Sequence, residues 1–236
     1  MKIICHMIMS ADGRLISKYW SPLYNNSSDV SEVYEAVASK MPSDGWIVGR
    51  VTMAEYGEGI VEEKPVMEGP KTMHTTTFVG KREGRPLAVV FDPQGKLHYK
   101  ASNLPTGEHI VAVLGSHVTR AYQKELEDVG VSYIMRTPGS KLEETKSALK
   151  HLEEDFGAKN MLLEGGAIIN GNLLKMGLVD ELSLIIYPGI DGKSDHPSII
   201  ECQCGEESPM EASKLELKSC ETVGSGFVWI RYAIHH

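Results

Sequence analysis

The feature that most constrains the fold is an alternation of short apolar runs with segments of helical periodicity. Strands are expected at residues 2–9, 46–48, 87–91, 109–114, 131–135, 160–163 and 181–187. Helices are expected from a cap at Ser28 to Met41, from Gly49 onward, and over 118–129, 141–156 and 168–174. This alternation predicts an α/β fold in which helices flank a mostly parallel central sheet.

The C-terminal segment breaks the alternation. Leu215 to Leu217 and Phe227 to Ile234 are strand-like runs on either side of a glycine-rich turn, which predicts an antiparallel edge to the sheet. Residues 57–80 are rich in Gly, Pro, Lys and Glu, and they predict a long surface excursion that serves as a lid or a partner contact. No linker or repeat divides the chain, so we expect a single domain over 1–236.

Charge and cysteine content limit the partners. The net charge of -8 argues against nucleic acid and anionic membranes, although a local cationic pocket for a phosphorylated ligand is compatible with it. The N-terminal run is too short for a signal peptide, and no apolar run is long enough to span a bilayer. The four cysteines lack zinc-site spacing, so we expect thiols in a reducing cytosol and no metal.

Three polar segments follow predicted strands and could hold a ligand. Glu164-Gly165-Gly166 precedes a helix, so it is either a tight turn or a place where backbone N–H groups hold an anion. Gly49-Arg50-Val51-Thr52 offers a phosphate-binding guanidinium, or a surface arginine with a capping threonine. Ser10-Ala11-Asp12-Gly13-Arg14 is a turn that carries an acid and a base, and it is also compatible with a solvated turn. Ligands of α/β sheets collect at such strand ends.

The order of these segments resembles a known family. Besides these three segments, the chain carries Val89-Val90-Phe91-Asp92 and, after the last helix, Gly177-Leu178-Val179-Asp180-Glu181-Leu182. Together they resemble the reductase domain of the riboflavin-pathway deaminase/reductase proteins and, more distantly, dihydrofolate reductase. The resemblance covers nearly the whole chain. It implies a dihydrofolate-reductase-like fold.

The resemblance also implies an activity and a set of site residues. Members reduce the ribosyl group of a phosphoribosylamino-pyrimidinone with NADPH, and many are homodimers. The implied catalytic residues are Glu164 and Arg14. The implied substrate-binding residues are Asn26, Lys40, Tyr56 and Glu164. The implied cofactor-binding residues are Ile8, Ser10, Arg50, Thr52, Gly165, Gly166, Ala167, Ile168 and Asn170.

Two other functions stay open at this stage. A pteridine or dihydrofolate reductase needs a buried carboxylate on the first long helix, where Asp29, Glu32 and Glu35 are the candidates. A non-catalytic NADP-binding protein would keep the fold without the chemistry. Members of the family commonly carry an aspartate shortly after the threonine, whereas Thr52 is followed here by Met53-Ala54-Glu55-Tyr56, which bears on the substrate more than on the cofactor.

Overall fold

A computed structural model describes residues 1–24, 29–57, 59–64, 77–136, 139–202 and 210–236. Its strands are β1 (Lys2–Ser10), β2 (Gly45–Gly49), β3 (Val61–Glu62), β4 (Thr77–Phe78), β5 (Leu87–Phe91), β6 (Leu97–His98), β7 (His109–Leu114), β8 (Ser132–Met135), β9 (Asn160–Leu163), β10 (Glu181–Tyr187), β11 (Lys214–Val223) and β12 (Phe227–His235). Its helices are α1 (Val30–Ala38), α2 (Arg50–Tyr56), α3 (Arg120–Val129), α4 (Lys141–Phe156) and α5 (Ala167–Lys175), with a short 3-10 turn at Ser17–Tyr19.

The described residues form two compact units. The first contains Met1 and Asp44–Met161, and the second combines Lys2–Ser43 with Leu162–His236. The second unit is therefore built from both ends of the chain. The single domain expected from the sequence stays a prediction.

The first unit is built on a parallel sheet. Strand β5 pairs in parallel with β2 on one side and with β7 on the other, β7 pairs in parallel with β8, and β4 runs antiparallel to β8. Every side chain from Leu87 to Val90 is fully buried, as is typical of a strand inside a parallel sheet. The two-residue strand β3 pairs with β6, so part of the predicted 57–80 excursion returns to this unit.

The second unit carries the antiparallel edge. Strand β1 pairs in parallel with β10, β10 pairs antiparallel with β12, and β12 pairs antiparallel with β11. The predicted fold class, a mostly parallel sheet with an antiparallel C-terminal edge, is confirmed. The strand at 215–217 was predicted too short, because β11 spans ten residues.

Helix α1 contacts strand β1 in the second unit through Tyr34 and His6. The His6 ring stacks on Tyr34 with 4.3 Å between ring centroids, and the Tyr34 hydroxyl donates to the His6 carbonyl oxygen at 2.9 Å. His6 Nδ1 lies 3.0 Å from Ser183 Oγ, which also accepts a hydrogen bond from Trp229 Nε1. Burial lowers the pKa of His6 to about 4, against a partial opposing effect of its backbone hydrogen bonds. His6 is therefore a neutral core residue that ties α1 to the sheet.

Two expectations from the sequence are wrong in detail. Helix α1 is capped by Asp29 and not by Ser28, because the Asp29 carboxylate accepts the backbone N–H groups of Ser31 and Glu32; Ser28 itself lies outside the described residues. Cys202 is disulfide-bonded although a thiol was expected, since spacing along the sequence does not show which sulfur atoms meet in space. Among the described residues, no helix is long and apolar enough to cross a membrane.

Candidate cofactor and substrate site

The turn between β9 and α5 has the backbone that its glycines predict. Gly165 has φ of 104°, a left-handed conformation that side-chain-bearing residues rarely adopt, and the Gly165–Gly166 peptide bond is cis. Gly166 is the N-cap of α5 and has no side chain with which to accept the first N–H groups of the helix. The start of α5 therefore presents backbone N–H groups together with the positive end of the helix dipole.

A segment at 198–202 crosses α5 and is held to it by hydrogen bonds; we call these residues the strap. The Glu201 N–H donates to the Ala167 carbonyl oxygen at 3.0 Å, and Asn170 Nδ2 donates to the Ile199 carbonyl oxygen at 2.8 Å. A Cβ atom on Gly171 would lie 1.9 Å from the Glu201 carbonyl oxygen, so only glycine fits under the strap. The strap thus fixes the first turns of the helix.

The cofactor residues expected on α5 differ in how far they are exposed. Ile168 is 40% exposed, whereas Ala167 is 7% and Asn170 is 1% exposed. The amide nitrogen of Asn170 holds the strap, and its Oδ1 atom is buried without a hydrogen-bond partner among the described residues. Glu164, which follows β9 directly, is half-buried. These four side chains therefore lie together around one strand–helix turn.

The turn after β1 is organised around Ser10, which is fully buried. Its hydroxyl donates to Asp12 Oδ1 at 2.6 Å and accepts the Arg14 backbone N–H at 2.9 Å. The Ser10 side chain is therefore engaged within its own turn. Ile8, on the same strand, is half-buried.

The Asp12 carboxylate fastens this turn to the loop after β10. It accepts the backbone N–H groups of Asp191 at 3.0 Å and of Gly192 at 2.8 Å. These two bonds and the Ser10 hydroxyl hold the pKa of Asp12 well below its usual range. Asp12 is thus a charged residue that links the turn after β1 to the loop after the parallel strand β10.

Arg14 contacts the chain that follows β10 farther along, at His196 and Ser198. Its Nη1 atom donates to the His196 carbonyl oxygen at 2.6 Å, and its backbone forms an isolated antiparallel bridge with Ser198. Arg14 as a whole is half-buried. Sequence reasoning identified Arg14 but missed Asp191 and His196, because nothing in the local sequence reports contacts between residues about 180 positions apart.

The remaining expected substrate residues lie elsewhere or cannot be placed. Lys40 is exposed, and its Nζ atom lies 5.3 Å from the centre of the Trp229 ring. Tyr56 is the last residue of α2, and Asn26 lies outside the described residues.

In the first unit, Arg50 and Thr52 occupy the start of α2, directly after β2. Arg50 forms an ion pair with Glu62 on β3, and Thr52 is half-buried. Asp92 follows β5, the parallel neighbour of β2, and its Oδ2 atom accepts the backbone N–H groups of Lys96 and Leu97. Burial raises the pKa of Asp92, and these bonds together with the charge of Arg50 offset part of the effect. The two strand ends therefore carry opposite charges.

A pterin reductase requires a buried carboxylate on its first long helix, and the described acidic residues at α1 do not supply one. The Asp29 carboxylate is occupied in capping α1, and Glu32 and Glu35 are exposed. Within the described part of α1, no acidic side chain is therefore buried where it could protonate a pterin.

Comparison with known proteins identifies the family. The model described as "RibD C-terminal domain" matches residues 1–229. The 2,5-diamino-6-ribosylamino-4(3H)-pyrimidinone 5′-phosphate reductase of Methanothermobacter thermautotrophicus is 33% identical over 79 residues, which are 34% of this chain and 36% of that protein. The match thus spans about a third of the length of that curated relative.

Solved structures share the fold over the whole chain. A pyrimidine reductase-like protein from Corynebacterium diphtheriae is 19% identical with a TM-score of 0.67, and the match covers 100% of this chain and 92% of that one. The riboflavin biosynthesis reductase Rib7 of Saccharomyces cerevisiae is 15% identical with a TM-score of 0.61, over 99% and 89% of the two chains. The predicted fold class is therefore confirmed a second time, by similarity to solved structures.

Proposed function

Because the chain belongs to the RibD C-terminal domain family, we propose that it is a reductase that uses NADPH to transfer a hydride to the ribosyl C=N or C=O carbon of a phosphoribosylamino-pyrimidinone. The family match over residues 1–229 carries this proposal. The relative from Methanothermobacter thermautotrophicus, whose name specifies a ribosylamino-pyrimidinone 5′-phosphate, supports the substrate class.

Two features, one in each unit, fit separate parts of a nicotinamide dinucleotide. The positive φ of Gly165 and the uncapped start of α5 provide backbone donors for a diphosphate. Arg50, at the first position of α2, has the guanidinium geometry that pairs with a phosphate such as the 2′-phosphate of NADPH. When bound, NADPH would supply the hydride.

The chain's own groups hold the substrate and handle the proton. Glu164 is half-buried beside the Gly165 turn, and we assign its carboxylate to the ribosyl hydroxyls or the base of the substrate. Arg14, anchored on the His196 carbonyl oxygen, brings a fixed positive charge to the end of β1 for a phosphorylated substrate. Glu164 or a water molecule delivers the proton that completes the reduction.

Replacing Arg50 by glutamine tests the cofactor preference. We expect NADPH affinity to fall by about tenfold to a hundredfold, since a charge-assisted hydrogen bond contributes about 1.5–3 kcal/mol. NADH lacks the 2′-phosphate, so its affinity should change little. Fluorescence titration with both cofactors measures this, and Arg85→Gln, which removes a surface arginine paired with Glu83, is the matched control. Equal losses for the two cofactors would contradict the assignment.

We further propose that the protein is a homodimer formed through β11. Leu215 and Leu217 are 52% and 58% exposed, and their register neighbours on β12 are Ile234 and Tyr232. Exposed leucines on a long edge strand invite pairing with another chain.

Sedimentation velocity tests the dimer. The wild-type chain should sediment as a dimer, and the Leu215→Glu/Leu217→Glu variant as a folded monomer, because two carboxylates cannot be buried in an apolar interface. Glu216→Gln, which changes an exposed side chain on the same strand, should stay dimeric. A monomeric wild type would end this proposal.

A further inference from the structure

Two loops beside the turn after β1 are fastened to each other. The Ser21 N–H donates to the Ile190 carbonyl oxygen at 2.9 Å, and the Ile190 N–H donates back to Ser21 Oγ at 2.9 Å. The Tyr187 hydroxyl donates to the Ser21 carbonyl oxygen at 3.0 Å. The segment 17–21 and the segment 187–196 are therefore one platform at the carboxyl ends of β1 and β10.

This platform gathers cationic groups around one tyrosine. The Nζ atoms of Lys18 and Lys193 lie 4.9 Å and 4.1 Å from the centre of the Tyr19 ring. The His196 ring lies 4.5 Å from the same ring. The two ammonium groups are therefore no more than about 9 Å apart, and an anion that contacts both would offset the repulsion between these like charges.

Two of the acidic side chains nearby, Asp191 and Asp12, form hydrogen bonds with groups other than the two lysine side chains. Asp191, whose side chain is fully buried, bonds His196 Nδ1 at 2.8 Å and accepts the Lys193 backbone N–H at 3.1 Å. Asp12 is engaged with backbone N–H groups, and Asp195 is exposed. Neither Lys18 nor Lys193 forms an ion pair with an acidic side chain of the described residues.

The buried pair of His196 and Asp191 stabilises the loop that carries Lys193. His196 is only 8% exposed, and its carbonyl oxygen accepts the Arg14 guanidinium. A third cation is thereby held against the same loop. Arg14, Lys18 and Lys193 thus bring three cations to adjacent strand ends, where Asp12 is bonded to backbone N–H groups and Asp191 to His196.

We propose that Lys18 and Lys193, together with Tyr19 and His196, form a subsite for a phosphomonoester. The inference rests on the proposed function, because it assigns this subsite to the phosphate of the substrate and not to the cofactor. A phosphomonoester carries a charge of about -1.5 to -2 at neutral pH and several acceptor oxygens, which suit two ammonium groups on separate loops. Lys40, the lysine expected from the resemblance, lies instead over Trp229.

Binding of ribose 5-phosphate tests the subsite without any turnover. Isothermal titration calorimetry would compare the wild-type protein with Lys18→Gln/Lys193→Gln, using ribose and NADPH as comparison ligands. We expect the variant to lose at least tenfold in affinity for ribose 5-phosphate and to keep its NADPH affinity, and we expect ribose to bind too weakly to measure. The control Lys146→Gln/Lys175→Gln, which removes two exposed lysines, should bind as the wild type does.

The outcomes separate the possible sources of the phosphate. Failure of the wild-type protein to bind ribose 5-phosphate, or unchanged affinity in the folded variant, overturns the subsite. A parallel loss of NADPH affinity also overturns it, since the lysines would then serve a cofactor phosphate. Restored binding in Lys18→Arg/Lys193→Arg supports it. Failure of the proposed reductase function would appear separately, as absent NADPH turnover in a protein that still binds ribose 5-phosphate.

Discussion

The Gly171→Ala variant is expected to be less stable than the wild type by about 3 kcal/mol. The added Cβ would lie 1.9 Å from the Glu201 carbonyl oxygen and 2.6 Å from its carbonyl carbon, both of which are backbone atoms. Overpacking typically costs about 1–3 kcal/mol, and the two strap hydrogen bonds contribute about 1 kcal/mol each. Alanine favours a helix over glycine by only about 1 kcal/mol, so the clash dominates.

Because the strap holds Ala167 and Asn170, the same substitution should also weaken NADPH binding at the start of α5. Urea denaturation and a cofactor titration measure the two effects. Lys175→Ala, an exposed substitution on the same helix, is the control and should leave both nearly unchanged. A Gly171→Ala protein as stable as the wild type would show that the strap can move aside freely.

Glu181→Gln should also destabilise the protein by about 3 kcal/mol. Glu181 is 1% exposed and ties four strands together, because it accepts hydrogen bonds from Lys2 on β1 at 2.9 Å, from Lys218 on β11 at 2.8 Å and from Arg231 Nε on β12 at 2.6 Å. Removing one partner of a buried ion pair costs about 3–5 kcal/mol. The three cations are partly exposed and can be hydrated again, so we expect the lower end of this range.

The pH dependence gives an independent measure of the same charge. Burial by itself raises the pKa of Glu181, but its hydrogen bonds with Lys2, Lys218 and Arg231 outweigh burial and lower it to about 2, from 4.5. A lowered carboxyl pKa stabilises the fold above pH 4.5, and this stability is lost as the pH falls toward 2. The Glu181→Gln variant should lack this loss, whereas Glu216→Gln, on an exposed strand, should retain it. Identical pH profiles in wild type and Glu181→Gln would refute this role.

The sequence predicts the fold where one face of an element is buried. Helix α4 shows that pattern, strands β1, β5 and β7 are buried along most of their length, and all four were predicted close to their observed limits. Strand β11 was not, because seven of its first eight residues are exposed on both faces and the apolar alternation disappears. The cap of α1 was misplaced by one residue because serine and aspartate are equally good N-caps.

The candidate site was predictable only in its local parts. The Gly165 turn and Arg14 could be predicted from short segments. A glycine before a helix and a basic residue after a strand each indicate a candidate ligand-binding position from the neighbouring residues alone. The links from Asp12 to Asp191 and from Arg14 to His196 were not, because they join opposite ends of the chain. The ion pair between Arg50 and Glu62 was not predicted either, because Glu62 lies in the segment 57–80, which the sequence predicts as a surface excursion.

The reductase function is tested most directly by following NADPH absorbance in the presence of the phosphoribosylamino-pyrimidinone and identifying the product by mass spectrometry. We expect NADPH oxidation with a product that gains two hydrogen atoms in its ribosyl chain, slower turnover in Glu164→Gln and Arg14→Ala, and no oxidation with dihydrofolate. NADPH that binds but is never oxidised would refute the reductase function and indicate a non-catalytic NADP-binding protein.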